Sequence, residues 1–135
     1  MTTSSALRDK RAVVFGASGS IGSAVATELA AEGAEVFLAD RTAASIEPVA
    51  EKIADAGGRA HAHTVDALDA AAVDACVESV VRQAGSIDIK FNATGPRVNE
   101  YGNGTPALAL SADAFMTPVE TVLRSQFITA RATRS

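Results

Sequence analysis

Tryptophan is absent from this chain of 135 residues, tyrosine occurs once, and the aromatic residues together make up 4%. Its core is therefore expected to be aliphatic and alanine-rich. The single cysteine, Cys76, excludes an intrachain disulfide and suits a reducing compartment. Val73, Val77, Val80 and Val81 surround it at helical spacing, so it reads as a buried structural thiol rather than a nucleophile. No apolar run approaches the roughly 20 residues that span a bilayer. Met1-Thr2-Thr3-Ser4-Ser5 has neither the basic lead nor the apolar stretch of a signal peptide. No membrane partner is expected, and the expected location is the cytoplasm. Positive charge is also scarce: 12 Lys and Arg against 16 Asp and Glu leave a net charge of −4. With the arginines scattered along the chain, this argues against nucleic acid as a partner. The length suits a single domain, 1–135, with residues 1–9 as a flexible lead.

What the chain does have is Gly16-Ala17-Ser18-Gly19-Ser20-Ile21-Gly22, set between the apolar run Ala12-Val13-Val14-Phe15 and a helical pattern. A strand, a glycine-rich turn and a helix in that order form a phosphate cradle. Gly16 lets the chain reverse at the end of the strand, Gly19 lets a pyrophosphate approach the backbone, and Gly22 lets the helix pack closely against the sheet. The first N–H groups of the helix have no intrahelical partner and carry the positive end of its dipole. The structural alternative is a glycine turn that binds nothing.

Downstream, Ile21, Val25 and Leu29 recur at four-residue spacing, with Gly33 at the C-terminal stop. Ala34 to Ala39 reads as a buried strand ending at Asp40. Ser45 is expected to cap a second helix, with Pro48 in its first turn, Val49 and Ile53 inward, and Gly57-Gly58 as its stop. Arg59 to Val65 reads as a third strand, ending at Asp66. Asp69 caps a third helix running to Gln83, and Ile87 to Phe91 is a fourth strand. Such alternation predicts an α/β fold of three layers, a Rossmann-like doubly wound parallel sheet with helices on both faces. Regularity lapses after Asn92 for about twenty residues, and loops of that length are often functional. Thr117-Pro118-Val119-Glu120 then has the form of a capping box, with Val119, Val122, Leu123, Phe127 and Ala130 on one helical face; Ser111, with Ala114 and Phe115, offers a weaker start that would form a preceding helical turn.

The glycine turn, Asp40, Asp66-Ala67 and Asn92-Ala93-Thr94-Gly95, each at a successive strand end, together resemble the N-terminal half of the short-chain dehydrogenase/reductase family. The likeness runs from about Lys10 to Arg131, ending after the helix that follows strand four. Phe15 and Ser20 depart from the family's TGxxxGxG signature, and Asn92-Ala93-Thr94-Gly95 matches its NNAG segment in part. The resemblance implies a dinucleotide cofactor held by Gly16, Ser18, Gly19, Ser20, Ile21, Gly22, Asp40, Arg41, Asp66, Ala67, Asn92, Ala93, Thr94 and Gly95. Asp40 lies at roughly the distance after the glycines where an acidic residue accepts from the adenosine ribose. A carboxylate there repels a 2′-phosphate, which favours NAD over NADP; Arg41 beside it offers the opposite reading, as partner of that phosphate. Asp66-Ala67 resembles the family's adenine-contacting pair, and Asp66 could equally serve to cap the turn before Asp69.

His61 and His63 alternate along the third strand without a third ligand nearby in sequence, so no metal is expected. Lys90, inside a parallel strand, requires either an exposed edge or an ammonium that reaches water. By resemblance, catalysis would need a serine and a Tyr-x-x-x-Lys pair. The sole tyrosine, Tyr101, is followed at that spacing by Thr105, and the lysines are Lys10, Lys52 and Lys90, so no catalytic residue is assigned. Two functions stay open: the NAD-binding portion of a short-chain oxidoreductase, expected to form homo-oligomers, or a non-catalytic dinucleotide-binding or scaffold domain.

Overall fold

The computed structural model describes residues 5–134, in which a four-stranded parallel sheet lies between two pairs of helices. In chain order the elements are β1 (Arg11–Phe15), α1 (Ser20–Ala31), β2 (Glu35–Asp40), α2 (Ala43–Asp55), β3 (Arg59–Thr64), α3 (Ala70–Ala84), β4 (Ile89–Asn92) and α4 (Ala112–Ala132). Two short 3-10 turns, Val98–Glu100 and Ala107–Ala109, break the long loop before α4. The strand order is β3-β2-β1-β4, so the order reverses beside β1 and a crevice opens at the carboxyl ends of β1 and β4. The doubly wound, three-layer Rossmann-like sheet expected from the alternation is the architecture observed.

Alternating side chains of β1 and β2 feed two cores. Ala12, Val14, Val36 and Leu38 meet Ala26 and Ala30 of α1 and Ile46 and Ile53 of α2. Val13, Phe15, Phe37 and Ala39 meet Val73, Cys76, Val77 and Val80 of α3 and Ile128 of α4. Strands buried on both faces read as unbroken apolar runs, as these two do. Burial pushes the Cys76 thiol above its usual pKa, which suits a packing role.

Several boundaries differ from those the sequence suggests. Helix α2 starts at Ala43, with Thr42 at the N-cap position and without a side-chain cap bond, and Ser45 is already in its first turn, donating its hydroxyl to the Thr42 carbonyl at 2.8 Å. Pro48 consequently sits one turn deeper than expected. Helix α4 takes the earlier start: the Ser111 hydroxyl accepts from the Ala114 N–H at 3.0 Å. Thr117 caps nothing and donates its hydroxyl to the Asp113 carbonyl at 2.9 Å, leaving Pro118 inside the helix. On α1 the inward stripe is Gly22, Ala26 and Ala30, with Ile21 69% exposed. Small residues face the sheet there because the helix lies close to it. Part of the expected flexible lead, residues 5–9, forms a turn: the Leu7 N–H donates to the Glu32 carbonyl at 2.8 Å, and Leu7 packs against the first core. Residues 1–4 lie outside the described residues.

Helix α4 inverts expectation. Its buried positions are Thr121, Ser125, Ile128 and Thr129, whereas Val119, Val122, Leu123 and Phe127, with Phe115 and Met116, face outward. The inward hydroxyls of Ser125 and Thr129 are satisfied locally. Thr129 donates to the Ser125 carbonyl at 2.8 Å, and Ser125 donates to the Val122 carbonyl at 3.2 Å while accepting from the Asn92 amide at 3.1 Å. Lys90 meets both of its conditions: β4 is an outer strand of the sheet, and the ammonium reaches the Ala130 carbonyl in the last turns of α4 at 3.5 Å.

Candidate cofactor site

The turn from β1 into α1 is shaped by three glycines with three different reasons to be glycine. Gly16 has φ +72°, and a Cβ on it would stand 2.8 Å from the peptide between Ala93 and Thr94. Gly22 is fixed by the turn itself, since its Cβ would fall 2.1 Å from the Gly16 carbonyl oxygen. Packing against that carbonyl, not against the sheet, is what requires glycine there. Gly19 has neither constraint. Its φ is −72°, and the nearest atom to an added Cβ would be the Gly16 oxygen at an ordinary 3.6 Å. Among the described residues nothing forbids a side chain at Gly19, so the open space before it is available to a ligand.

Gly19 is also the N-cap of α1, without a side-chain cap bond and without an acidic residue in the first turn. The N–H groups of Ser20, Ile21 and Gly22 open the helix, where no intrahelical carbonyl precedes them, and no acidic side chain of the first turn offsets the positive end of the dipole. An anion fits this end of the groove.

From here a groove runs past the end of β2 to the end of β3. It is lined by Gly16, Ser18, Gly19, Asp40, Arg41, Asp66, Ala67, Ala93, Thr94 and Gly95, all of them named from the sequence. Ser20, Ile21, Gly22 and Asn92 do not line it: the first three lie in the opening turn of α1, and the Asn92 side chain turns the other way, to Ser125. Asn92 acts indirectly, its Oδ1 accepting from the Thr94 N–H at 2.8 Å and holding the bend that brings residues 93–95 over Gly16. Val65, Leu68, Arg97, Glu100 and Thr121 also line the groove. These five carry no motif; only the length of the loop after Asn92 pointed toward Arg97 and Glu100. The groove holds about 230 Å³, less than the roughly 300–1,000 Å³ of a pocket that encloses a drug-sized ligand. A bound molecule would lie along it, one side in water.

Asp40 is the most engaged charge in the groove. Its Oδ2 accepts from both the backbone N–H and the hydroxyl of Ser18, and its Oδ1 accepts from the Arg41 N–H at 2.8 Å. Partial burial pushes its pKa up. The bond from the Ser18 hydroxyl, those from the two backbone N–H groups and the charge of Arg41 outweigh that and hold the carboxyl below its ordinary value. A carboxylate has about four lone-pair sites, and three are taken. Asp40 can therefore accept from one further hydroxyl while staying ionised. Asp66 accepts from the Leu68 N–H at 2.9 Å, shaping the turn before Asp69, whose own carboxylate accepts from the Ala72 N–H at 3.1 Å to cap α3.

The two histidines form a different cluster at the β3 edge. His61 Nε2 lies 2.9 Å from Glu35 Oε2, and the ring stacks on Phe37 with centroids 4.8 Å apart. Among the described residues no three His, Cys, Asp or Glu side chains come together as metal ligands.

Comparisons with known proteins agree with this geometry. The sequence model of the family described as short chain dehydrogenase matches residues 10–134. The uncharacterized oxidoreductase UxuB of Bacillus subtilis is 30% identical over 93% of this chain and 49% of its own length. The short-chain reductase protein NovJ of Streptomyces niveus is 42% identical over 62% of this chain and 32% of its own. Among solved structures, the citronellol catabolism dehydrogenase AtuB of Pseudomonas aeruginosa superposes with a TM-score of 0.84 at 29% identity, covering 98% of this chain and 52% of that one. A metagenomic short-chain oxidoreductase in complex with NADP gives 0.82 at 30% identity, covering 95% and 56%. The chain thus spans at most about half the length of these relatives.

Proposed function

Because the chain belongs to the short-chain dehydrogenase family, we propose that it is the dinucleotide-binding portion of an oxidoreductase that moves hydride between a nicotinamide and an alcohol or carbonyl substrate. The observation that carries this is Gly19, a helix-capping glycine that no neighbouring protein atom requires, at the mouth of a groove whose residues lie at four successive strand ends. Pyrophosphate would meet the N–H groups at the start of α1, and the adenosine end would lie toward Asp40 and Asp66-Ala67. The cofactor, when bound, supplies the hydride chemistry.

We assign NAD as the preferred form. Asp40 has one acceptor site left for a ribose hydroxyl, and its carboxylate, held ionised at neutral pH, repels a 2′-phosphate. Self-association belongs to the same proposal, through the outward apolar face of α4 carrying Leu123 and Phe127.

Titration with NADH and NADPH, followed by nicotinamide fluorescence or calorimetry, tests this reading. Saturable NADH binding that Gly19→Ala weakens is the expected result. Absence of binding at millimolar NADH by folded protein would refute it.

A further inference from the structure

Across the groove from Asp40, in the loop after β4, one acidic side chain is hydrogen-bonded through one oxygen and faces a guanidinium with the other. Glu100 Oε2 accepts from the Arg97 N–H at 2.9 Å, and the Glu100 N–H donates back to the Arg97 carbonyl at 2.9 Å. The first bond fixes the side chain against its own turn, and the second closes that turn. Oε1 is thereby presented to Arg41, 3.8 Å from the guanidinium. Arg41 and Glu100 both line the groove, and Arg41 also contributes charge to Asp40, its chain neighbour. One guanidinium therefore serves two carboxylates from distant parts of the chain.

We infer that Glu100 is a specificity-determining residue that discriminates against the 2′-phosphorylated cofactor by keeping Arg41 engaged. This rests on the proposed placement of the adenosine ribose at the Asp40 end of the groove. A ribose hydroxyl is neutral and needs nothing from Arg41. A 2′-phosphate carries nearly two negative charges at neutral pH and calls for a guanidinium partner. Arg41 is the arginine beside the expected ribose site, and to pair with a phosphate it must leave Glu100 while the pinned carboxylate stays behind as a like charge. Discrimination of this kind works by raising the cost of the wrong ligand.

The pair is about two-fifths exposed on each side, and an exposed ion pair is worth little to folding. Its effect would show in the choice between ligands. A Glu100 that merely pins the loop would change both affinities alike. Glu100→Gln separates the two, because the amide oxygen still accepts from the Arg97 N–H while the charge is gone.

The experiment measures NADH and NADPH dissociation constants at one fixed, low ionic strength for the wild type, Glu100→Gln, Arg41→Gln and the double variant. Glu100→Gln is expected to shift the NADPH-to-NADH ratio toward NADPH by up to about fivefold, the range of an exposed pair. In the Arg41→Gln background the shift should vanish. Saturable NADH binding with an unmoved ratio would overturn the role of Glu100 and leave the cofactor reading standing, as would an equal shift without Arg41. Failure of the wild type to bind either nucleotide would overturn the cofactor reading, and this inference with it.

Discussion

Ser18 donates both its backbone N–H and its hydroxyl to one carboxylate oxygen of Asp40, tying the middle of the glycine turn to the end of β2. The carboxylate thereby orders the phosphate-binding turn as well as facing the ligand. Ser18→Ala keeps the backbone bond and loses the other, so a cost of about 1 kcal/mol is expected. Calorimetric melting should show this as a fall in Tm of roughly 2–6 °C for a chain of this size. An unchanged Tm would mean that the hydroxyl contributes nothing to holding the turn.

Gly16 and Gly19 should separate folding from binding. Gly16→Ala forces a Cβ into a left-handed backbone and onto the 93–94 peptide, so loss of native circular dichroism or a much lowered Tm is expected. Gly19→Ala meets no protein atom closer than 3.6 Å, so the fold should survive. Its methyl would occupy the phosphate approach, and a loss in NADH affinity of about tenfold or more is expected, one charge-assisted hydrogen bond being worth that much. Native folding with undiminished affinity would place the pyrophosphate elsewhere.

Two groups with depressed pKa contribute to the acid side of the stability profile. His63 is held below its ordinary pKa by burial and by the nearby His61. The unfolded chain therefore takes up a proton first, and stability is expected to fall as pH drops through the range below the usual histidine value of about 6.5. His63→Gln should flatten that segment of a denaturation series. Asp40 is depressed as well, so its contribution is present above the unfolded carboxyl value and lost as pH falls through its lower folded value. Asp40→Asn should remove sensitivity only in that more acidic window.

The fold was readable from the sequence because β1 and β2 are buried on both faces and their apolar runs stand between clear stops. Both α1 and α2 end on glycines at positive φ, Gly33 and Gly57, followed by carbonyl-capping bonds. Most of the groove was readable for a related reason: its residues follow strand ends, which topology gathers at one edge. Periodicity misled on α4. The more apolar stripe is the outward one, and the buried stripe uses Thr121, Ser125 and Thr129; the hydroxyls of Ser125 and Thr129 bond back to the helix, and Ser125 also accepts from Asn92. A rule that sends the greasiest face inward cannot find such a helix. Glu100 was not identified because its role depends on a turn that returns to Arg41 across the groove, and no spacing encodes that.

The outward stripe of α4 has a measurable consequence. Leu123 and Phe127 are 64% and 62% exposed, beside Val119 and Val122, which is more apolar surface than one soluble helix usually offers to water. Sedimentation velocity across a concentration series should show reversible association, and Leu123→Glu with Phe127→Glu should shift it toward monomer. A monomer at every concentration would refute self-association through this face.

Turnover should be absent from these 135 residues. Without a Tyr-x-x-x-Lys pair there is no proton relay of the family's kind, a contribution of about 10² to 10⁴ in rate. NADH should bind and stay unoxidised in the presence of aldehydes and ketones; steady loss of the reduced nicotinamide's absorbance, from protein free of contaminating enzymes, would contradict this.

Gly16 touches the peptide between Ala93 and Thr94, and that contact joins the first strand to the last. Pairs such as β1 with β2 form over short chain separations, whereas β1 with β4 must wait until two whole β-α units have been laid down between them. Closing the longer loop costs more chain entropy, so β4 is placed to dock late. The wall of the groove opposite the glycine turn arrives with it. A chain caught with β4 detached would keep its glycine turn and most of one core yet present half a cleft, which makes completion of the groove a report on whether the polypeptide has finished folding.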